Sequence, residues 1–154
     1  NLNFKMHKDI IKTLIIRDLE KLKTEISLYK SEDNLWITDG LITNSAGNLC
    51  LHLIGNLNTY IGSALGKRNY IRNRDLEFSD INIPIETLKK EIEKTKNVIN
   101  ETFEMLEEEN LKEIYPFGVS VGQTTIAYYL THLCVHLGYH LGQINYHRRL
   151  FDSQ

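Results

Sequence analysis

The chain has 154 residues, with 18 Lys and Arg against 20 Asp and Glu, a formal net charge of −2. That length suffices for one domain, residues 1–154, with its own hydrophobic core, and the near-neutral balance lacks the basic excess of a nucleic-acid binder. A composition of 42% apolar and 25% charged residues excludes disorder, two cysteines exclude a disulfide scaffold, and no apolar run is long enough to span a membrane.

The N-terminal Asn1-Leu2-Asn3-Phe4 has no secretory apolar region, which gives the cytoplasm as the expected compartment. The first predicted helix runs from about Phe4 to Tyr29, with Ile11, Leu14, Ile15, Leu19, Leu22, Ile26 and Tyr29 on one stripe. Ser31 to Thr43 reads as a connector, with Trp36 packed over the bundle end. The second helix opens at Thr43-Asn44-Ser45, all good N-cap types, and continues through Leu49, Leu53, Leu57, Tyr60, Ile61 and Leu65 to Gly66. Lys67 to Ile83 then reads as a loop of about 17 residues, a length often associated with function. Pro84 suits the first turn of a third helix carrying Leu88, Ile92, Thr95, Ile99, Thr102 and Leu106. Glu107-Glu108-Glu109 lies at its C-terminal end, unfavourable to the helix dipole, and marks a stop or a frayed turn. After the Pro116-Phe117-Gly118 turn, Ser120 and Gln123 resemble a capping box. The fourth helix carries Ile126, Leu130, Leu133, Leu137, His140, Ile144 and His147. The expected fold is therefore all-α, a four-helix bundle with a long loop after the second helix.

The last helix holds the strongest chemical signal. His132, His136 and His140 recur every four residues. Each step advances about 40° beyond one turn and about 6 Å along the axis. His136 and His140 thus share a face, as in other i,i+4 metal-binding pairs, whereas His132 and His140 are offset by about 80°. The pair lies on or beside the apolar stripe, so it reads either as hydrogen-bonded core histidines or as ligands. His52 lies beside the Leu49 and Leu53 stripe of the second helix. If the second and fourth helices are neighbours, His52 meets the pair, and three inward histidines on two helices form a metal site with open positions.

The His132-to-Gln143 run, about 80 residues after a helical histidine, resembles the DinB/YfiT-like superfamily. Leu51-His52-Leu53-Ile54-Gly55-Asn56-Leu57 and Tyr70-Ile71-Arg72-Asn73-Arg74-Asp75-Leu76-Glu77-Phe78 resemble one poorly characterised bacterial branch of it. The resemblance covers essentially the whole chain. It implies a four-helix bundle with a divalent metal, Zn, Ni or Fe, on His52, His136 and His140, and with His132 beside them rather than among the ligands. It also implies a homodimer acting on a small molecule. Thiol-dependent S-transfer is the favoured activity, with a low-molecular-weight thiol as cosubstrate. Metal-dependent hydrolysis, or a non-catalytic metal-binding bundle of a stress response, are the alternatives. No general base stands at motif spacing, so no catalytic residue is assigned.

Several further residues carry weaker signals. The basic stretch Lys67 to Arg74 reads as a solvated loop, or as a flap whose Arg72 or Arg74 holds an anionic group of the cosubstrate. Gln143, one turn from His140, is placed to orient a ligand. Cys50 and Cys134 stand two residues before proposed ligands, so they point away from the ion and read as core. Gly138 and Gly142 permit a close helix contact, within the bundle or at a dimer seam. Tyr128, Tyr129, Tyr139 and Tyr146 read mostly as packing, and His7 and His147 as unrelated to the site.

Overall fold

A computed structural model describes residues 6–153. Asn1 to Lys5, including the expected helical start at Phe4, lie outside the described residues, as does Gln154. The helices are α1 (His7–Ser27), α2 (Ala46–Leu57), α3 (Arg74–Ser79), α4 (Ile85–Met105) and α5 (Ile126–Phe151). Short 3₁₀ turns cover Asp33–Trp36 and Glu108–Lys112. Among the described residues there is no strand, only the isolated bridges Asp39–Ile42 and Ile114–Thr125.

Four helices make the bundle, as the apolar periodicity predicts. α1 packs on α5 and α4, and α2 packs on the same two, so α1 and α2 are diagonal and α5 separates them on one side. The core is closed by Ile15, Leu19, Leu22 and Ile26 of α1, Leu53 and Leu57 of α2, Leu88, Ile92, Ile99 and Phe103 of α4, and Leu130, Leu133, Leu137 and Ile144 of α5, all buried. Trp36 packs partly buried against this core.

Helix boundaries follow their caps. Ser45 caps α2 by accepting from the Asn48 N–H at 3.1 Å. The helix runs on through a wider π turn, Asn58–Ser63. There Asn58 Nδ2 and Thr59 Oγ1 donate to carbonyls four residues back, at 2.9 and 2.8 Å. The acidic run is neither frayed nor idle. α4 stops at Met105, and the Glu108 carboxylate accepts from the His7 and Lys8 N–H groups, both at 3.0 Å, at the start of α1.

Two expectations are corrected. The 17-residue loop contains α3, a helix capped by Asn73, whose side chain accepts from Leu76 N–H at 3.3 Å; six residues are too few for a periodic signal. The last helix is not capped by Ser120 and Gln123. Gly122 turns the chain with φ +79°, and the Ile114–Thr125 bridge keeps the next residues extended. The cap is Thr125, which accepts from Tyr128 N–H at 3.2 Å.

Candidate metal centre

α2 and α5 are neighbours and run antiparallel: His52 meets His136, and two turns later Tyr60 meets Tyr129. That register delivers His52 to the α5 pair. His52 is buried, and His136 and His140 are half-buried at the seam. The Nε2 atoms converge, with His52 to His136 at 3.2 Å and His140 to His136 at 3.1 Å. The three side chains could hold a metal ion.

The hydrogen bonds on the outer nitrogens decide what the inner ones can do. His52 Nδ1 lies 3.0 Å from Glu77 Oε2, and His140 Nδ1 lies 2.7 Å from Gln143 Oε1. Both oxygens are acceptors, so both Nδ1 atoms carry the proton and both Nε2 atoms present a lone pair. Two lone pairs therefore point at the third Nε2. A proton on His136 Nε2 can bond well to only one of them, while a cation bonds all three. Two imidazole nitrogens held at about 2.0–2.1 Å from one ion stand about 3.3 Å apart at the tetrahedral angle, close to the observed spacings. His136 Nδ1 is buried without a hydrogen-bond partner among the described residues.

Burial also keeps His136 and His140 neutral. It is the chief cause that pushes His136 down to about 4, with His140, His52, His132 and Arg72 adding repulsion. His140 is lowered as well, chiefly by burial, against the opposing bond to Gln143. Imidazoles that stay unprotonated near neutrality are what a metal requires, because the ion competes with protons for the same lone pair.

Glu77 is the residue that sequence reasoning missed. It lies on α3, is buried, and receives Arg72 Nε at 2.6 Å and Nη2 at 2.8 Å besides His52. Burial would raise its pKa, but the bonds from His52 and Arg72 and the charge of Arg72 outweigh this and hold it below the ordinary carboxylate range. The carboxylate rests on the bare Cα of Gly55: a Cβ there would overlap Glu77 Oε1 and come within 2.8 Å of Cδ. The two segments that carry the family resemblance, residues 51–57 and 70–78, thus meet through Gly55, His52, Arg72 and Glu77. A carboxylate behind a histidine has no fixed sequence spacing, so only a folded α3 could reveal it.

Other expected residues take definite places. Arg72 reaches the cluster, with Nη2 3.3 Å from His52 Nδ1 and its guanidinium 5.7 Å from the Tyr60 ring centre, but it is engaged by Glu77. Arg74 lies over Phe78, at 5.3 Å, and is not brought to the histidines by any hydrogen bond. His132 stacks between Tyr129 and His136, at 5.4 and 6.3 Å between ring centres. His147 is buried elsewhere, bonded to Tyr29 Oη at 2.7 Å and to the Ile37 carbonyl at 2.9 Å. Burial pushes the Cys50 thiol up to about 12 and Cys134 up to about 11, so both remain protonated. Of the tyrosines expected to pack, only Tyr129 is buried. Tyr128, Tyr139 and Tyr146 face solvent at 56%, 64% and 71% exposure.

The family model described as "Protein of unknown function (DUF1572)" matches residues 11–154. The crystal structure of a conserved protein from Enterococcus faecalis superposes with a TM-score of 0.75 at 14% identity, covering 97% of this chain and 99% of that one, a likeness of fold. No curated protein matches the sequence. Among the described residues, no helix is long and apolar enough to cross a membrane.

Proposed function

We propose that this chain, which belongs to the protein family of unknown function DUF1572, is a DinB/YfiT-like metalloprotein that binds one divalent cation through His52, His136 and His140 and catalyses thiol-dependent S-transfer. The observation that carries the reading is the convergence of three imidazoles, with the Nε2 atoms of His52 and His140 at 3.2 and 3.1 Å from His136 Nε2 and their outer nitrogens fixed by Glu77 and Gln143. Imidazole ligands suit Zn, Ni or Fe. A divalent ion on three neutral ligands keeps its full charge and makes a thiol or water beside it more acidic.

The chain's own groups do the rest. Glu77 and Gln143 fix the tautomers of His52 and His140 and aim their lone pairs inward. Arg72 keeps Glu77 ionised and in place. The favoured activity follows from what the cluster lacks: Glu77 is the one carboxylate hydrogen-bonded to it among the described residues, and its oxygens already receive Arg72 and His52. A thiol starts from a pKa of about 8.5 and needs no further base, whereas water starts from about 15.7 and gains more from one. A homodimer belongs to the proposal, supported by the exposed Ile10, Tyr128 and Val135 along the α1–α5 face.

Elemental analysis of untagged protein tests the metal: about one ion per chain is expected by the three-ligand geometry. His52→Ala, His136→Ala and His140→Ala each remove most of it, and His132→Ala does not; equal retention in all four variants overturns the assignment. Conjugation of a model electrophile only when a small thiol is supplied supports S-transfer. Turnover of an ester or amide without thiol would establish the hydrolase instead.

A further inference from the structure

We propose that the cavity bordering His140 binds the second substrate of the histidine site, and that this substrate is an uncharged, largely apolar small molecule of ring size carrying one hydrogen-bond acceptor. The inference rests on the metal reading above. The cavity has a volume of about 580 Å³ and lies between the Asp39–Ile42 turn, the first turn of α2 and the C-terminal half of α5. Pockets for small ligands run to about 300–1,000 Å³.

Its lining selects the ligand. Leu41 and Ile42 face it from the turn, Leu49 from α2, and Tyr139, Tyr146 and Leu150 from α5, while Thr43 and Asn44 add uncharged polar groups; among the described residues no Asp, Glu, Lys or Arg lines it. A charged ligand entering there would lose water and find no counter-ion. The turn is fixed by two backbone bonds between Asp39 and Ile42, at 3.1 and 2.8 Å, and by Gly40 at φ +54°. It nevertheless carries at its tip a leucine, Leu41, that is 100% exposed.

Two of the cavity's polar groups, His140 and Gln143, lie beside the metal centre. His147 has both nitrogens bonded within the protein. At the opposite edge, His140 and Gln143 are shared by the cavity and the cluster. Gln143 uses its Oε1 on His140, so its amide N–H₂, without a protein partner among the described residues, is the donor beside the cluster left for a ligand. The two arginines that could hold an anionic cosubstrate stand elsewhere, Arg72 on Glu77 and Tyr60 and Arg74 on Phe78. The cavity therefore serves the electrophile, and a charged thiol must approach from another side.

N-phenyl-1-naphthylamine, a neutral two-ring fluorophore, and its sulfonated analogue 1-anilinonaphthalene-8-sulfonate provide the test on the full chain. The neutral probe is expected to bind at least tenfold more tightly than the sulfonate. The variant Leu41→Glu/Leu150→Glu, at two exposed positions that leave the core intact, is expected to weaken the neutral probe at least tenfold without changing zinc content. With Co²⁺ replacing Zn²⁺, the ring protons of bound probe should broaden in NMR spectra. Equal affinity for both probes, an unchanged affinity in the double variant, or bound probe that Co²⁺ does not broaden overturns the proposal. So does a dimer, by light scattering, whose formation expels the probe, since a second copy would then be the occupant. Should the wild-type chain bind no Zn²⁺ while the probe pattern holds, the metal reading fails and the cavity stands as an apolar ligand site.

Discussion

Replacing Gly55 by Ala sets two physical effects against each other. On helix propensity alone, the change should stabilise α2 by about 1 kcal/mol. The structure predicts the opposite. The new methyl would overlap Glu77 Oε1 and approach Cδ to within 2.8 Å, and Glu77 cannot give way without leaving His52 and Arg72. Breaking a buried pair by removing one partner costs about 3–5 kcal/mol. Here the pair can move out together with α3, so we expect about half of that, roughly 2 kcal/mol, and a net loss of about 1 kcal/mol after the propensity gain. The site should report the same displacement. Loss of the group behind a metal-ligating histidine typically weakens metal binding about 10–100-fold. Urea unfolding of the metal-free protein and Zn²⁺ competition against a chromogenic chelator give the two readings. A Gly55→Ala protein that is as stable as the parent and binds Zn²⁺ equally well would refute the role of the Gly55–Glu77 contact.

Three further outcomes follow from named groups. Glu77→Gln keeps an acceptor for His52 but leaves Arg72 buried without its counter-charge; Zn²⁺ affinity should fall by at least tenfold, and Arg72→Met on top of it should recover part of the loss, as measured by the same competition. Metal-free stability should depend on acid: His136 sits near 4 in the fold against 6.5 for the free side chain, and His140 and His147 are also lowered, all by burial. The folded state thus favours neutral imidazoles, so urea midpoints should be flat above about pH 6.5 and fall as the pH drops toward about 4, less steeply in His136→Gln. Asp152 accepts from the Lys30 and Ser31 N–H groups and from Asn34 Nδ2, at 2.6, 3.3 and 2.8 Å, tying the end of α5 to the turn after α1. Asp152→Ala should lower the unfolding free energy by about 2 kcal/mol at neutral pH, an amount expected for bonds to a charged acceptor.

What could be read from the sequence divides along range of interaction. The helices α1, α4 and α5 announce themselves because Ile15, Leu19, Leu22 and their counterparts repeat at a period that only a helix satisfies. The i,i+4 pair His136 and His140 is equally local. His52 joins them only through the antiparallel register of α2 and α5, which the periodicity permits but does not specify. α3 is too short to carry a period, so Glu77 is invisible until Asn73 caps that turn and Gly55 gives the carboxylate room. The tyrosines misled for a related reason: an aromatic residue on a helix signals packing only if its face meets a neighbour, and Tyr128, Tyr139 and Tyr146 look outward. The false capping box at Ser120 shows a motif overridden by chain reversal at Gly122, which starts the helix later, at Thr125.

The charge distribution around the histidines explains why these non-local contacts matter. Arg72 and Glu77 cancel, so this pair brings no net charge to the surroundings of the three imidazoles. With Arg72 in place, Glu77 is ionised yet compensated, and it can polarise His52 through Nδ1–H without drawing a proton onto Nε2. The same desolvation that depresses His136 opposes protonation at the centre of the cluster. A monovalent proton therefore satisfies these lone pairs poorly, and a compact divalent cation, attracted by all three at once, satisfies them best. Because no carboxylate is among the three nitrogens' own group, the charge of such an ion would remain available to whatever reaches it from the apolar cavity beside His140.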